Sequence, residues 1–113
     1  MPHTGPGKAL RFVGSSRADL RAFPEPARRS AGYELRQVQA DLDPDDWRPM
    51  PSVGPGVREI RVHEGGEFRV LYVAHWADAI YVLHALHKKA VQTPQRDLDV
   101  ARARLRQIRG EHP

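Results

Sequence analysis

The segment Val57-Arg-Glu-Ile-Arg-Val-His63, Glu64-Gly-Gly-Glu67, Phe68-Arg-Val-Leu-Tyr-Val-Ala-His-Trp76 decides the fold. Two runs rich in β-branched and aromatic residues flank a Gly-Gly pair, the signature of a tight hairpin. A third run, Ala79–His87, follows Ala77-Asp78, which reads as a second tight turn. Together the three runs predict an antiparallel meander. The middle run is apolar at odd and even positions alike, which puts it in the centre of the sheet.

Upstream, Ala9-Leu-Arg-Phe-Val13 is a short strand, preceded by a lead-in of residues 1–8 whose two Pro and two Gly predict disorder. Ser16-Arg-Ala-Asp19 has the form of a helix-starting capping box, and Pro24 ends that helix. Pro26 suits the first turn of a second helix. Its apolar stripe is Ala27, Ala31, Leu35, Val38 and Leu42, with Arg28, Arg29, Arg36 and Gln37 off the stripe. The acidic cluster Asp41–Asp46 closes it. Trp47 to Gly56 contains three Pro and two Gly and reads as a loop. Downstream, Thr93 is expected to cap the last helix with Pro94 at its first position, and Asp97 and Asp99 suit the positive end of its dipole. Leu98, Ala101, Leu105 and Ile108 form its buried stripe, Arg96, Arg102, Arg106 and Arg109 its solvent side, and Gly110 its C-cap. The order predicts one α+β domain over residues 9–110, a helical hairpin and a C-terminal helix packed on one face of an antiparallel sheet.

The 113 residues suffice for a single domain. The absence of cysteine excludes disulfide scaffolds, thiolate metal sites and cysteine nucleophiles. No apolar run approaches the ~18 residues of a membrane helix, and the first residues lack the apolar stretch of a signal peptide. A soluble, cytoplasmic protein without membrane association is expected. The net charge of +4 comes from 18 basic and 14 acidic residues, and 15 of the 18 are Arg. Arg presents a planar fork of donors that matches phosphate, so the balance favours phosphate-bearing partners, while a GC-rich genome is the bland source of the same bias.

Strand alternation sorts the candidate side chains. Arg58, Ile60 and Val62 share one face of their strand, and Glu59, Arg61 and His63 the other. Arg69 stands inside the apolar run Phe68-Arg-Val-Leu-Tyr-Val73, where a charge must reach an edge or find a partner, so it is either a functional cation or one arm of a salt bridge to Glu59 or Glu67. His87-Lys88-Lys89 leaves the third strand as a second basic group suited to an anion. His63, His75, His84 and His87 match no zinc spacing, and His84 reads as a satisfied core residue. Phosphate loops, nucleophile elbows and zincin motifs are lacking.

Tyr33-Glu-Leu-Arg-Gln-Val38, Val57-Arg-Glu-Ile-Arg61, Phe68-Arg-Val-Leu-Tyr-Val73, Val82-Leu-His-Ala-Leu-His-Lys-Lys89 and Thr93-Pro94 followed by Ala101-Arg-Ala-Arg-Leu105 occur in that order. In order and spacing they resemble the HigB-like, phage-related branch of the RelE/ParE toxin superfamily, over residues 9–108. The resemblance implies the toxin of a type II toxin–antitoxin pair: a small α+β fold, a cognate helix-turn-helix antitoxin as partner, and cleavage of mRNA on the ribosome. The implied chemistry needs no metal or cofactor. The 2′-oxygen attacks the adjacent phosphate, and cations stabilise the pentavalent transition state. Carried over by motif, Arg61, Arg69, Lys88 and Lys89 are the phosphate-stabilising cations. His87 is assigned acid–base work from its ordinary pKa, and Arg58 and Arg96 contact the RNA backbone. The chain departs from the better-known ribonucleases of the superfamily at its end, Glu111-His-Pro113, where they carry an aromatic or His residue somewhat earlier. The ParE branch, which inhibits DNA gyrase without catalysis, shares the fold, and an inactive relative that only binds its antitoxin would share it too.

Overall fold

A computed structural model describes residues 7–113. The element order is β1 (Ala9–Phe12), α1 (Ser16–Arg21), α2 (Glu25–Gln39), β2 (Trp47–Pro49), β3 (Val57–His63), β4 (Glu67–Val73), β5 (Ala79–Lys88) and α3 (Gln95–Glu111). The strands form one sheet in the order β1-β5-β4-β3-β2, with β4 at its centre as its two-sided apolar pattern requires. The expected lead-in falls outside the described residues at positions 1–6. Lys8 is tied down: its backbone oxygen accepts from Gln39 Nε2 at 2.8 Å and its ammonium donates to the Ala74 carbonyl at 2.6 Å.

The α+β class holds, and three features of the architecture correct the sequence reading. The sheet is mixed, because β1 runs parallel to β5, pairing Ala9 with Ala79 and Phe12 with Val82. The helices cover both faces instead of one. Leu20 of α1 and Ala27, Ala31 and Leu35 of α2 pack on Ile60, Val62, Val70 and Val82. Ala101, Leu105 and Ile108 of α3 pack on Val57, Leu71, Val73 and Leu83 from the other side. A strand apolar on both faces needs both covered, since each exposed methylene would forgo about 0.8 kcal/mol of burial. Finally, the Pro-rich stretch read as a loop begins with an edge strand, β2, which pairs antiparallel with β3. Pro49 is tolerated at an edge because one side of the strand has no ladder partner.

The caps differ as well. Ser16 donates its hydroxyl to the Val82 carbonyl at 3.0 Å, anchoring α1 to β5, and Ser15 donates to Asp19 at 2.7 Å, so no capping box forms. The stripe of α2 stops at Val38. Asp41 takes the left-handed backbone (φ 66) that ends the helical path, and Leu42 is exposed. Gly110 lies inside α3 and is not its cap, because His112 secures the last turn. The ring stacks on Trp76 at 4.7 Å, Nδ1 donates to the Ile108 carbonyl at 2.9 Å and Nε2 meets Asp78 at 3.1 Å.

A bulge in β5 sets the faces of everything after it. Leu71 pairs with His84 and Tyr72 with Val82, leaving Leu83 unpaired. Leu83 and His84 therefore both turn toward α3, and Ala85 and His87 face α2. Simple alternation would place His84 with Val82.

Candidate functional site

On the α3 side of the sheet, beyond the N-terminus of that helix, four cations gather. Arg61 of β3 and Arg69 of β4 are direct partners across the ladder. Arg48 of β2 is the partner of Glu59, and Lys88 of β5 is the partner of Glu67. Directly opposed residues of an antiparallel pair stand about 5 Å apart at Cα, so the side chains form one patch. Burial pushes the Lys88 ammonium below its ordinary pKa, and the positive charges of Arg69, Arg61 and Arg48 press the same way, while Glu59 opposes them. The ammonium donates to the Val91 carbonyl.

The patch has two layers. Arg69 is only 2% exposed, and its charge is paired within the protein although its Nε finds no hydrogen-bond acceptor. It donates to the Phe68 carbonyl at 2.9 Å and to Glu67 at 3.1 Å, and its Nε stands 3.6 Å from Glu59. Of the two roles the sequence leaves open for Arg69, the ion pair is the one formed. Arg61 and Lys88 are partly exposed and the Arg48 side chain is half exposed, so these three meet solvent. Arg48 and Thr93 border a recess of about 480 Å³ that also touches Gln92 and Leu98.

His63 flanks the patch. Its Nδ1 is 2.7 Å from Glu67 and its Nε2 2.7 Å from Asp46. The bond to Asp46, then that to Glu67, raises its pKa and favours imidazolium. The bond from His63, with a further one from Arg69, holds the Glu67 carboxyl below its usual range. The result is a chain of alternating charges, Asp46, His63, Glu67, Arg69, Glu59, along one face.

Of the residues singled out from sequence, the fold brings together Arg61, Arg69 and Lys88. Lys89 is exposed one position beyond β5, and Arg96 is exposed in the first turn of α3. His87 does not join them. It pairs with Phe68 and stacks on that ring at 4.4 Å, on the α2 side of the sheet. Arg58 also faces that side, over the Trp47 ring at 4.0 Å and bonded to Asp43 at 2.9 Å. His84 is bonded to Asp97 at 2.6 Å and is buried. Among the described residues no three His, Cys, Asp or Glu side chains converge as a metal site.

Sequence reading missed Arg48, hidden in a Pro-rich stretch, and the role of Thr93. Pro94 occupies the cap position of α3, and the Thr93 hydroxyl donates instead to the buried Glu59 carboxylate at 2.9 Å. The lone signals were an Arg between Trp47 and Pro49 and a carboxylate, Glu59, inside a strand.

A model of the family described as phage derived protein Gp49-like (DUF891) matches residues 18–106. The chain belongs to that family. No curated protein matches it with significance. In this Gp49-like chain the matched segment carries all four cations of the patch together with Glu59, His63, Glu67 and Thr93. Among the described elements, only β1, the first residues of α1 and the last turn of α3 lie outside it. No helix of the described residues is long and apolar enough to cross a membrane.

Proposed function

We propose that this protein is a toxin of a type II toxin–antitoxin pair that acts in the cytoplasm as a ribosome-dependent mRNA endoribonuclease. The observation that carries the reading is the two-layered cationic patch: Arg48, Arg61 and Lys88 open to solvent above Arg69, which is locked between two carboxylates. The match to a phage-derived, Gp49-like family is in keeping with it, since the toxin branch that the sequence resembles is itself phage-related.

In the proposed reaction the ribose 2′-oxygen attacks the neighbouring phosphorus, the bond to the 5′-oxygen breaks, and the products end in a 2′,3′-cyclic phosphate and a 5′-hydroxyl. The 2′-hydroxyl gives its proton to solvent water, and the leaving oxygen takes one from an acid of the patch. Negative charge peaks on the equatorial phosphate oxygens, where Arg61, Arg48 and Lys88 stabilise it more than in the ground state. His63, whose imidazolium form Asp46 and Glu67 favour, is the acid assigned to the patch, and its Nε2–H would pass from Asp46 to the leaving oxygen. It takes the place that the sequence alone gives to His87. Arg69 touches no substrate and fixes Glu67 and Glu59. A basic protein fits the ribosome, which presents dense phosphate.

Primer extension on a translated reporter mRNA, beside a copy lacking its start codon, tests the reading. Cuts confined to the translated copy, and lost in Arg61→Ala, are expected. Growth arrest with intact mRNA would move the target to DNA gyrase, and no arrest would mark an inactive relative. The cognate antitoxin, a helix-turn-helix protein in this reading, should co-purify with the full chain when the two are expressed together.

A further inference from the structure

Glu59 is a carboxylate only 1% exposed, and ionised groups are seldom placed so deep without a function or a full set of partners. It has half a set. Oε2 accepts the Thr93 hydroxyl at 2.9 Å. Oε1 accepts no hydrogen bond, yet it stands 3.5 Å from Arg48 Nε and 3.6 Å from Arg69 Nε, and Arg69 Nε is likewise without an acceptor. One oxygen is therefore shared between two guanidinium groups that arrive from opposite neighbouring strands, β2 and β4. A carboxylate free to turn would close on one of them as a two-pronged pair, the favoured geometry for Arg. The Thr93 hydroxyl prevents the turn.

We propose that Glu59, oriented by Thr93, is a positioning residue that divides Oε1 between Arg48 and Arg69 and so presents Arg48 to substrate phosphate. The inference rests on reading the cationic patch as the phosphate-binding surface. It gives Thr93 a role that helix capping does not, because Pro94 holds the cap position and the hydroxyl reaches the strand instead. It also explains why β2, three residues long, is ordered against β3: the strand exists to bring Arg48 opposite Glu59. With the oxygen released, Arg69 closes on the carboxylate and Arg48 swings out over the recess that it borders.

The test uses the full chain, with Nε–Hε correlations of arginine and titration by a short oligonucleotide made uncleavable by 2′-deoxyribose. Thr93→Val keeps the shape and removes the hydroxyl. It should displace the Arg48 and Arg69 Nε–Hε signals and weaken oligonucleotide binding about tenfold or more, the scale of one misplaced charge-assisted hydrogen bond. Thr93→Ser should restore both, which a purely packing role for the threonine would not require. Glu59→Gln supplies a second arm with opposed expectations. Removing a negative charge should tighten anion binding if Glu59 acts by charge alone, and should loosen it if Glu59 positions Arg48. Unchanged signals and affinity in Thr93→Val, or tighter binding in Glu59→Gln, would overturn the proposal. Displaced signals with serine rescue in a protein that cuts no RNA would uphold it and overturn the nuclease reading instead.

Discussion

Arg61 and Arg69 oppose each other in register across β3 and β4, and only Arg61 reaches solvent. Like charges so opposed destabilise a sheet unless anions intervene, and here Glu59 and Glu67 do so. The two arginines should therefore fail differently. Arg69→Met leaves Glu59 buried beside one partner fewer and should cost about 3 kcal/mol or more of unfolding free energy. Arg61→Ala should change unfolding by less than about 1 kcal/mol, as surface substitutions do, while abolishing cleavage. Denaturant melts of the two variants, side by side, check the contrast.

Salt dependence separates the outer layer from the inner. Removing one cation that neutralises a phosphate should reduce the slope of log affinity against log salt by about 0.7 on single-stranded RNA. Arg48→Ala, Arg61→Ala and Lys88→Ala should each show that reduction in filter binding, with the double variant Arg48→Ala/Arg61→Ala showing about twice as much. An unchanged slope in all three would remove them from the phosphate path.

His87→Ala should leave cleavage near the parent rate. The ring lies across the sheet from Arg61 and stacks on Phe68, so its loss costs at most about 1 kcal/mol of stacking and no acid–base group of the patch. His63→Gln should slow cleavage by about a hundredfold or more, the usual contribution of a positioned acid. Single-turnover rates on a translated message decide between the two histidines.

The same histidine makes stability depend on pH. His63 has a folded pKa raised from 6.5, so its contribution is complete below 6.5 and fades as pH rises through the folded value. Glu67 is depressed from 4.5, so its contribution is complete above 4.5 and fades as pH falls through the folded value. Both operate together between 4.5 and 6.5. The melting temperature lost in His63→Gln should be greatest in that window and shrink toward pH 9. A difference that grows on the alkaline side would contradict the pairing.

Much of this was legible in residue types alone. Hydrophobic alternation and the Gly-Gly turn located β3, β4 and β5, and the apolar middle run placed β4 at the centre. The same run carried the information that both faces needed covering, which is why α3 lies opposite α2. What escaped was set by single residues and by long-range pairing. The bulge at Leu83 has no compositional mark, yet it moves His84 and His87 to faces that alternation does not give them. The parallel pairing of β1 depends on where the α1–α2 hairpin returns the chain. Thr93 before Pro94 has the local form of a helix cap, and only the buried Glu59 two strands into the sheet redirects its hydroxyl. Arg48 was obscured because three Pro and two Gly around it outweighed a three-residue strand.

The pairing of β1 with β5 has a consequence for how the molecule is made. Among the described residues β1 finds its only strand partner in β5, with Leu10 against Ile80 and Phe12 against Val82. During synthesis those residues leave the ribosome before the rest of the sheet and stay unpaired until Ala79 and the residues after it have followed. The β3–β5 meander, whose turns are local, can assemble on its own, whereas closure across so long a loop is slow. Completion of the sheet is therefore a late event in folding, and a chain cut before Ala79 has no strand on which to lay β1.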